Sequence, residues 1–189
     1  QLPRSFAAPD LEPALHFRSV EKAQSKDSLA ALSKLTQLVD GKHRFVSDPP
    51  VLVPIADLSP AIGSDLQGWL QEHLRLYARS LSPDRRALLE SYEPVDFARK
   101  VVGVGSVGTR CWVALFFGRD HHDPLMLQIK EAEASVLERY GMKCRYANHG
   151  QRVVEGQRLL QAATDVLLGW VRAEGLDGET RNFYVRQLW

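Results

Sequence analysis

Apolar residues in the first half of the chain recur at helical steps. Over residues 28–39, Leu29, Leu32, Leu35 and Val39 follow one another at three- and four-residue intervals, which predicts an amphipathic helix closed by Asp40-Gly41. A second helix is expected over 65–81, with Leu66, Trp69, Leu70, His73, Tyr77 and Leu81 on one stripe. His73 on that stripe reads as a hydrogen-bonded core residue rather than a ligand. Ser82-Pro83-Asp84 restarts a helix, with serine as N-cap and proline at the first helical position. Between these helices, 43–46 and 51–55 read as short extended pieces; Pro49, Pro50 and Pro54 argue against a central strand there. The first 26 residues are mixed, and Pro3, Pro9 and Pro13 exclude one continuous helix.

From residue 98 the pattern changes to strands, at 98–104, 110–117, 125–129, 166–171 and 183–188. Turn-rich stretches separate them at 118–124 and 174–178. Helical sequence lies between the third and fourth strands in two pieces, 131–140 closed by Gly141, and 148–163. The division is therefore a mostly helical segment over 1–97 and a sheet-forming region over 98–189. The fold class is α+β, with a five-stranded antiparallel sheet and a helix pair.

The chemistry concentrates between the first two strands, where residues 103–108 read Gly-Val-Gly-Ser-Val-Gly. This spacing also occurs in dinucleotide-binding turns, which must open a helix so that the pyrophosphate meets its N-terminus. Here Thr109 through Phe117 is rich in aromatic and β-branched residues and reads as a strand, so the glycines join strand to strand. A glycine turn of that kind, followed by a strand carrying one lysine, is how protein-kinase-like folds hold nucleotide phosphates. Gly103, Gly105 and Gly108 allow the backbone close to the phosphates, and Ser106 at the tip offers an N–H and a hydroxyl. Lys130, at the end of the third strand, supplies the point charge. Glu155 is the candidate to orient that lysine, with Glu131, Glu133 and Glu138 as competitors. A purely structural glycine hairpin, a strand-end lysine and a turn serine remain the alternatives.

Composition narrows the possibilities without choosing among them. The 189 residues carry a net charge of +1, which gives no electrostatic case for nucleic acid or an anionic membrane. No apolar run approaches the roughly 20 residues that span a bilayer. Cys111 and Cys144 lack metal or redox spacing and suit a reducing cytoplasm, so a cytoplasmic location is expected. His121-His122-Asp123 reads as a solvated turn rather than a metal site, since adjacent residues on a hairpin tip converge poorly on one ion. Asp96-Phe97-Ala98 precedes the glycine turn and is set aside as a chance likeness to a magnesium-binding Asp-Phe-Gly. No segment matches a catalytic loop with its downstream metal carboxylates, which phosphoryl transfer requires. Alone, the chain is expected to be catalytically incomplete.

Longer motifs carry a family resemblance. Residues 100–110 (KVVGVGSVGTR), 128–132 (QIKEA), 145–158 (RYANHGQRVVEGQR) and 183–188 (FYVRQL) are similar to the signatures of the bacterial family catalogued as domain of unknown function 2252, and 27–55 resembles it as well. The resemblance implies a kinase-like, aminoglycoside-phosphotransferase-like fold with its lobes permuted, catalytic half first and nucleotide-clamping half second. It also implies ATP and magnesium as cofactors, with the metal ligands outside this chain, and Leu188 and Trp189 near the adenine edge. The start at Gln1 and the end at Trp189 within an apolar run then read as those of a fragment whose partners are a nucleotide, an unidentified substrate and the rest of a longer chain. The alternatives are a non-catalytic ligand- or partner-binding module on a degenerate kinase-like fold, and a structural glycine turn beside a helix that docks a protein.

Overall fold

A computed structural model describes residues 28–101, 103, 108–141 and 143–188. In chain order the elements are α1 (Ser28–Leu35), β1 (Thr36–Val39), β2 (Lys42–Phe45), β3 (Leu52–Pro54), α2 (Ile55–Leu58), α3 (Pro60–Ser64), α4 (Leu66–Ala78), α5 (Pro83–Glu90), β4 (Glu93–Lys100), β5 (Cys111–Phe117) and β6 (Pro124–Glu131). A 3₁₀ turn at Val136–Arg139, α6 (His149–Leu160), β7 (Gly169–Glu174) and β8 (Thr180–Gln187) complete the chain. The sequence's opening 26 residues, Gly105, Ser106 and Trp189 lie outside the described residues.

The fold is α+β, but its main sheet has six strands rather than five, in the order β3-β4-β5-β6-β8-β7 with every neighbouring pair antiparallel. The added strand, β3, sits at the edge, where Pro54 needs no second ladder partner. A separate hairpin pairs β1 with β2, so the region 36–39 is a strand and not the end of α1. Asp40 at φ 50° and Gly41 at φ 73° make its tight turn. The expected helix pair is also reduced. Of 131–140 only the 3₁₀ turn is helical, with a capping box in which Ser135 and Glu138 satisfy each other's backbone N–H groups. The second piece holds as α6, where the Asn148 side chain accepts from Gln151 N.

All seven residues of β5 are buried, so the sheet must be covered on both faces. One face carries Phe97, Trp112, Ala114, Phe116, Leu127, Phe183 and Val185, and α4 packs on it with Leu70, Tyr77 and Ala78. The Tyr77 hydroxyl donates to the Leu167 carbonyl, and the Ser80 hydroxyl accepts from Trp170 N at 2.9 Å, which ties the end of α4 to β7. The opposite face carries Leu52, Ala98, Val113, Leu115, Phe117 and Met126, covered by Leu32 of α1 and Phe45 of β2. A bulge between Pro94 and Asp96 turns the Asp96 carboxylate inward. There it accepts from Phe45 N at 2.7 Å and Phe97 N at 2.9 Å, and burial pushes its pKa up. Asp96 is therefore an anchor for the β1–β2 hairpin.

Helix α6 lies so close to β8 that a Cβ at Gly150 would overlap the Phe183 carbonyl, whereas a Cβ at Gly156 meets nothing within 4 Å. Gly150→Ala is expected to cost about 2–3 kcal/mol of unfolding free energy, because backbone must shift to admit the methyl. Gly156→Ala in the same helix should stabilise by about 0.5–1 kcal/mol. Urea unfolding of the two variants checks this; equal effects of one sign would contradict the packing described.

Candidate functional site

Alternation along the strands gathers polar residues at one end of the sheet. Leu52 pairs with Lys100, Arg99 with Trp112 and hence Lys100 with Cys111; Cys111 then pairs with Lys130, Lys130 with Tyr184 and Tyr184 with Trp170. These side chains form one row across all six strands, on the face that carries the Leu52 and Val113 core. In the next row of that face Gln128 pairs with Arg186, whose Nε donates to the Gln128 Oε1 at 3.4 Å. Lys100, Lys130 and Arg186 are half-buried, and among the described residues no carboxylate lies within 4.0 Å of any of their charged nitrogens. Burial pushes the Cys111 thiol up, while the two lysines and Arg186 around it pull the other way. Burial likewise raises Tyr184.

The glycine turn enters β5 beside this row. Gly103 has φ 32° and Gly108 φ 87°, both left-handed, and a Cβ at either would meet nothing within 4 Å. Backbone conformation, not crowding, therefore calls for glycine at these two positions. The far foot of the turn is fixed on the opposite face. Arg110 N donates to the Glu131 Oε2 at 3.0 Å, the Arg110 guanidinium reaches that oxygen at 3.2 Å, and Arg181 approaches the Glu131 Oε1 at 3.3 Å. Asp177, in the β7–β8 turn, joins both arginines, at 3.0 Å to Arg110 and 2.6 Å to Arg181. This network clamps the glycine turn, the end of β6 and the β7–β8 turn together.

The expected partners of Lys130 are placed elsewhere. Glu155 accepts from Arg158 at 3.1 Å, and Arg158 also donates to Leu168 O at 2.9 Å with its guanidinium 5.7 Å from the Trp170 ring centre. Glu131 points to the other face, and Glu138 is held in its capping box. Glu133 offers its backbone carbonyl to Arg152 at 2.9 Å. Leu188 packs beside the second core and donates to Met126 O at 2.9 Å. His122 lies 3.7 Å from Asp120, while the His121 ring packs 5.1 Å from Phe117 and 5.8 Å from His43. Among the described residues no group of three or more His, Cys, Asp or Glu side chains is arranged to hold a metal ion. No helix among them is long and apolar enough to cross a membrane.

Sequence reasoning did not single out Lys100 or Arg186. The signal was present in strand alternation, since Arg186 lies two residues from Tyr184, but pairing register was needed to bring them beside Lys130. It also did not foresee the apolar cleft on the other face, between α4 and the sheet. That cleft encloses about 710 Å³, open solvent at its mouth included, and its wall holds Trp69, His73, Phe97, Trp112, Leu176 and Phe183. His73 is half-buried there and its Nδ1 lies 2.8 Å from Trp69 O, the hydrogen-bonded role its place on the apolar stripe suggests.

The chain belongs to a bacterial family described as "Uncharacterized protein conserved in bacteria (DUF2252)", whose model matches residues 8–189. Neither the curated proteins nor the solved structures contain a match to it.

The Arg181 hydrogen bonds hold the Asp177 carboxyl at about 2, below its ordinary 3.8. A depressed carboxyl favours the folded state fully above the unfolded value, and that contribution is lost as pH falls through the folded one. The stability advantage of wild type over Asp177→Asn should be constant from pH 7 to 5 and shrink below pH 4. Urea midpoints measured at pH 7, 5, 4 and 3 check this, and an undiminished advantage at pH 3 would contradict it.

Proposed function

We propose that this chain supplies the nucleotide-holding part of a kinase-like phosphotransferase, with ATP as its ligand. Lys130 carries the reading: it is half-buried at the end of β6, cross-strand from Cys111, the first residue of β5, and no carboxylate among the described residues lies within 4.0 Å of it. A lysine held partly out of water without a partner favours an anion. The succession of strand, glycine turn, strand, lysine-bearing strand, helix and two further strands supports a kinase-like arrangement, in which a glycine-rich loop covers the phosphates and a strand lysine contacts them. In this reading Gly103, Gly105, Ser106 and Gly108 cover the phosphates and Lys130 pairs with them. Magnesium would arrive with the nucleotide and be held by carboxylates outside this chain.

One observation favours a second reading, a binding module without transfer activity. Glu155, the residue expected to orient Lys130, is engaged by Arg158. A kinase-like site needs its lysine–glutamate pair formed for transfer. Binding and transfer therefore call for separate measurements.

Thermal melting of the chain with Mg-ATP at about 100 times its dissociation constant should show stabilisation by about 2.7 kcal/mol, a rise of roughly 5–10 °C. Lys130→Ala should lose most of that rise while melting normally alone. No rise for the folded wild type would end the nucleotide reading. A rise without phosphoryl transfer to any acceptor, in a longer chain that contains the remaining lobe, would select the binding module.

A further inference from the structure

We propose that Lys100 and Arg186 complete the Lys130 site, and that together they form a seat for an extended polyphosphate rather than for a single phosphate group. The inference rests on the phosphate reading of Lys130 and adds to it two residues and a ligand shape.

Register puts Lys100 and Lys130 on either side of Cys111, on alternate strands of one face. Neighbouring strands lie about 4.8 Å apart and side chains stand roughly perpendicular to the sheet, so the two ammonium groups rise about 10 Å apart. That span suits a linear di- or triphosphate with its hydrogen bonds at both ends. Arg186 stands one row away beside Lys130, with its Nε on Gln128, which leaves the other guanidinium nitrogens for an oxygen of the same chain of phosphates. Gln128 is buried and uncharged, and Cys111 is a buried thiol, so the floor between the cations carries no negative group.

The contrast with other half-buried arginines is what points to a ligand: Arg86 and Arg152 donate to backbone carbonyls, whereas no hydrogen-bond acceptor among the described residues meets the Lys100 or Lys130 ammonium. Arg44, Arg110, Arg158 and Arg181 each approach a carboxylate, at 3.6, 3.0, 3.1 and 2.6 Å. The three cations of the row have none among the described residues, although like charges gathered on one sheet face repel. A bound polyanion relieves that repulsion.

Isothermal titration decides the matter, with sodium tripolyphosphate, ATP, AMP and orthophosphate as the probes. The proteins are wild type, Lys100→Met, Lys100→Gln, Lys130→Met and Arg186→Met, with Lys42→Met in the exposed hairpin as a control of equal charge. Wild type should bind tripolyphosphate and ATP, and bind AMP and orthophosphate at least about a hundredfold more weakly. Loss of Lys100 or of Arg186 should weaken tripolyphosphate and ATP about tenfold each, as expected for one charge-assisted hydrogen bond. The Lys42 control should change neither. Melting without added anion should be unchanged or higher in the row variants, because each removes a repulsive charge; the two Lys100 substitutions guard against a folding defect in one. ATP binding that needs Lys130 but is indifferent to Lys100 and Arg186 would overturn this proposal and leave the nucleotide reading standing. Orthophosphate binding as tight as tripolyphosphate would also overturn it. Absence of binding by every probe would remove both.

Discussion

Burial of β5 on both sides governs this fold. Cys111 through Phe117 contribute seven consecutive buried residues, four of them aromatic or leucine, in the middle of a six-stranded sheet. Alternation then sends Trp112, Ala114 and Phe116 to one core and Val113, Leu115 and Phe117 to the other. Each buried apolar side chain contributes about 1.5–3 kcal/mol, but only if water is excluded from its own face. One layer of helices cannot do that for both faces. The chain before β4 is therefore divided between them, with α4 and α5 on one side and α1 with the β1–β2 hairpin on the other.

That division explains why the sheet was easier to read in the sequence than its coverings. The β5 and β6 runs are long, apolar and bounded by turn residues, and their positions emerge within a residue or two. β4 was displaced towards the glycines because its N-terminal half contains Pro94, which only the bulge accommodates. Residues 36–39 continue the helical spacing of α1, yet Thr36, Gln37 and Val39 suit a hairpin once Asp40-Gly41 supplies a tight turn. Residues 131–140 carry helix-forming glutamates and alanines, but Glu131 is spent at the end of β6 and the capping box starts a helical turn only at Ser135. Local propensity could not weigh these tertiary demands.

The candidate site was legible in type more than in partnership. Lys130 pairs across the ladder with Cys111, three residues beyond Gly108. Glu155 is engaged by Arg158, three residues on, and by no lysine among the described residues. Lys100 and Arg186 join the row of Lys130 through strand register, which depends on bulges and pairings that no local pattern displays. The clamp of Arg110, Glu131, Asp177 and Arg181 was invisible for the same reason, because it joins residues as far apart as the two ends of the sheet region.

Glu131 and Lys130 are consecutive residues with opposite places: one is pinned between two arginines on the first face, the other stands on the second with no carboxylate among the described residues within 4.0 Å. Because side chains alternate strictly along a strand, a slip of a single residue in β6 would exchange them. The carboxylate would then enter the cationic row and neutralise it from within, while the lysine would face Arg110 and Arg181 and break the clamp. The cationic row and the anchoring of Arg110 are thus not separable traits of this fold. Both hang on one hydrogen-bonded register, so an insertion or deletion within β6 disrupts the row and the clamp in a single step.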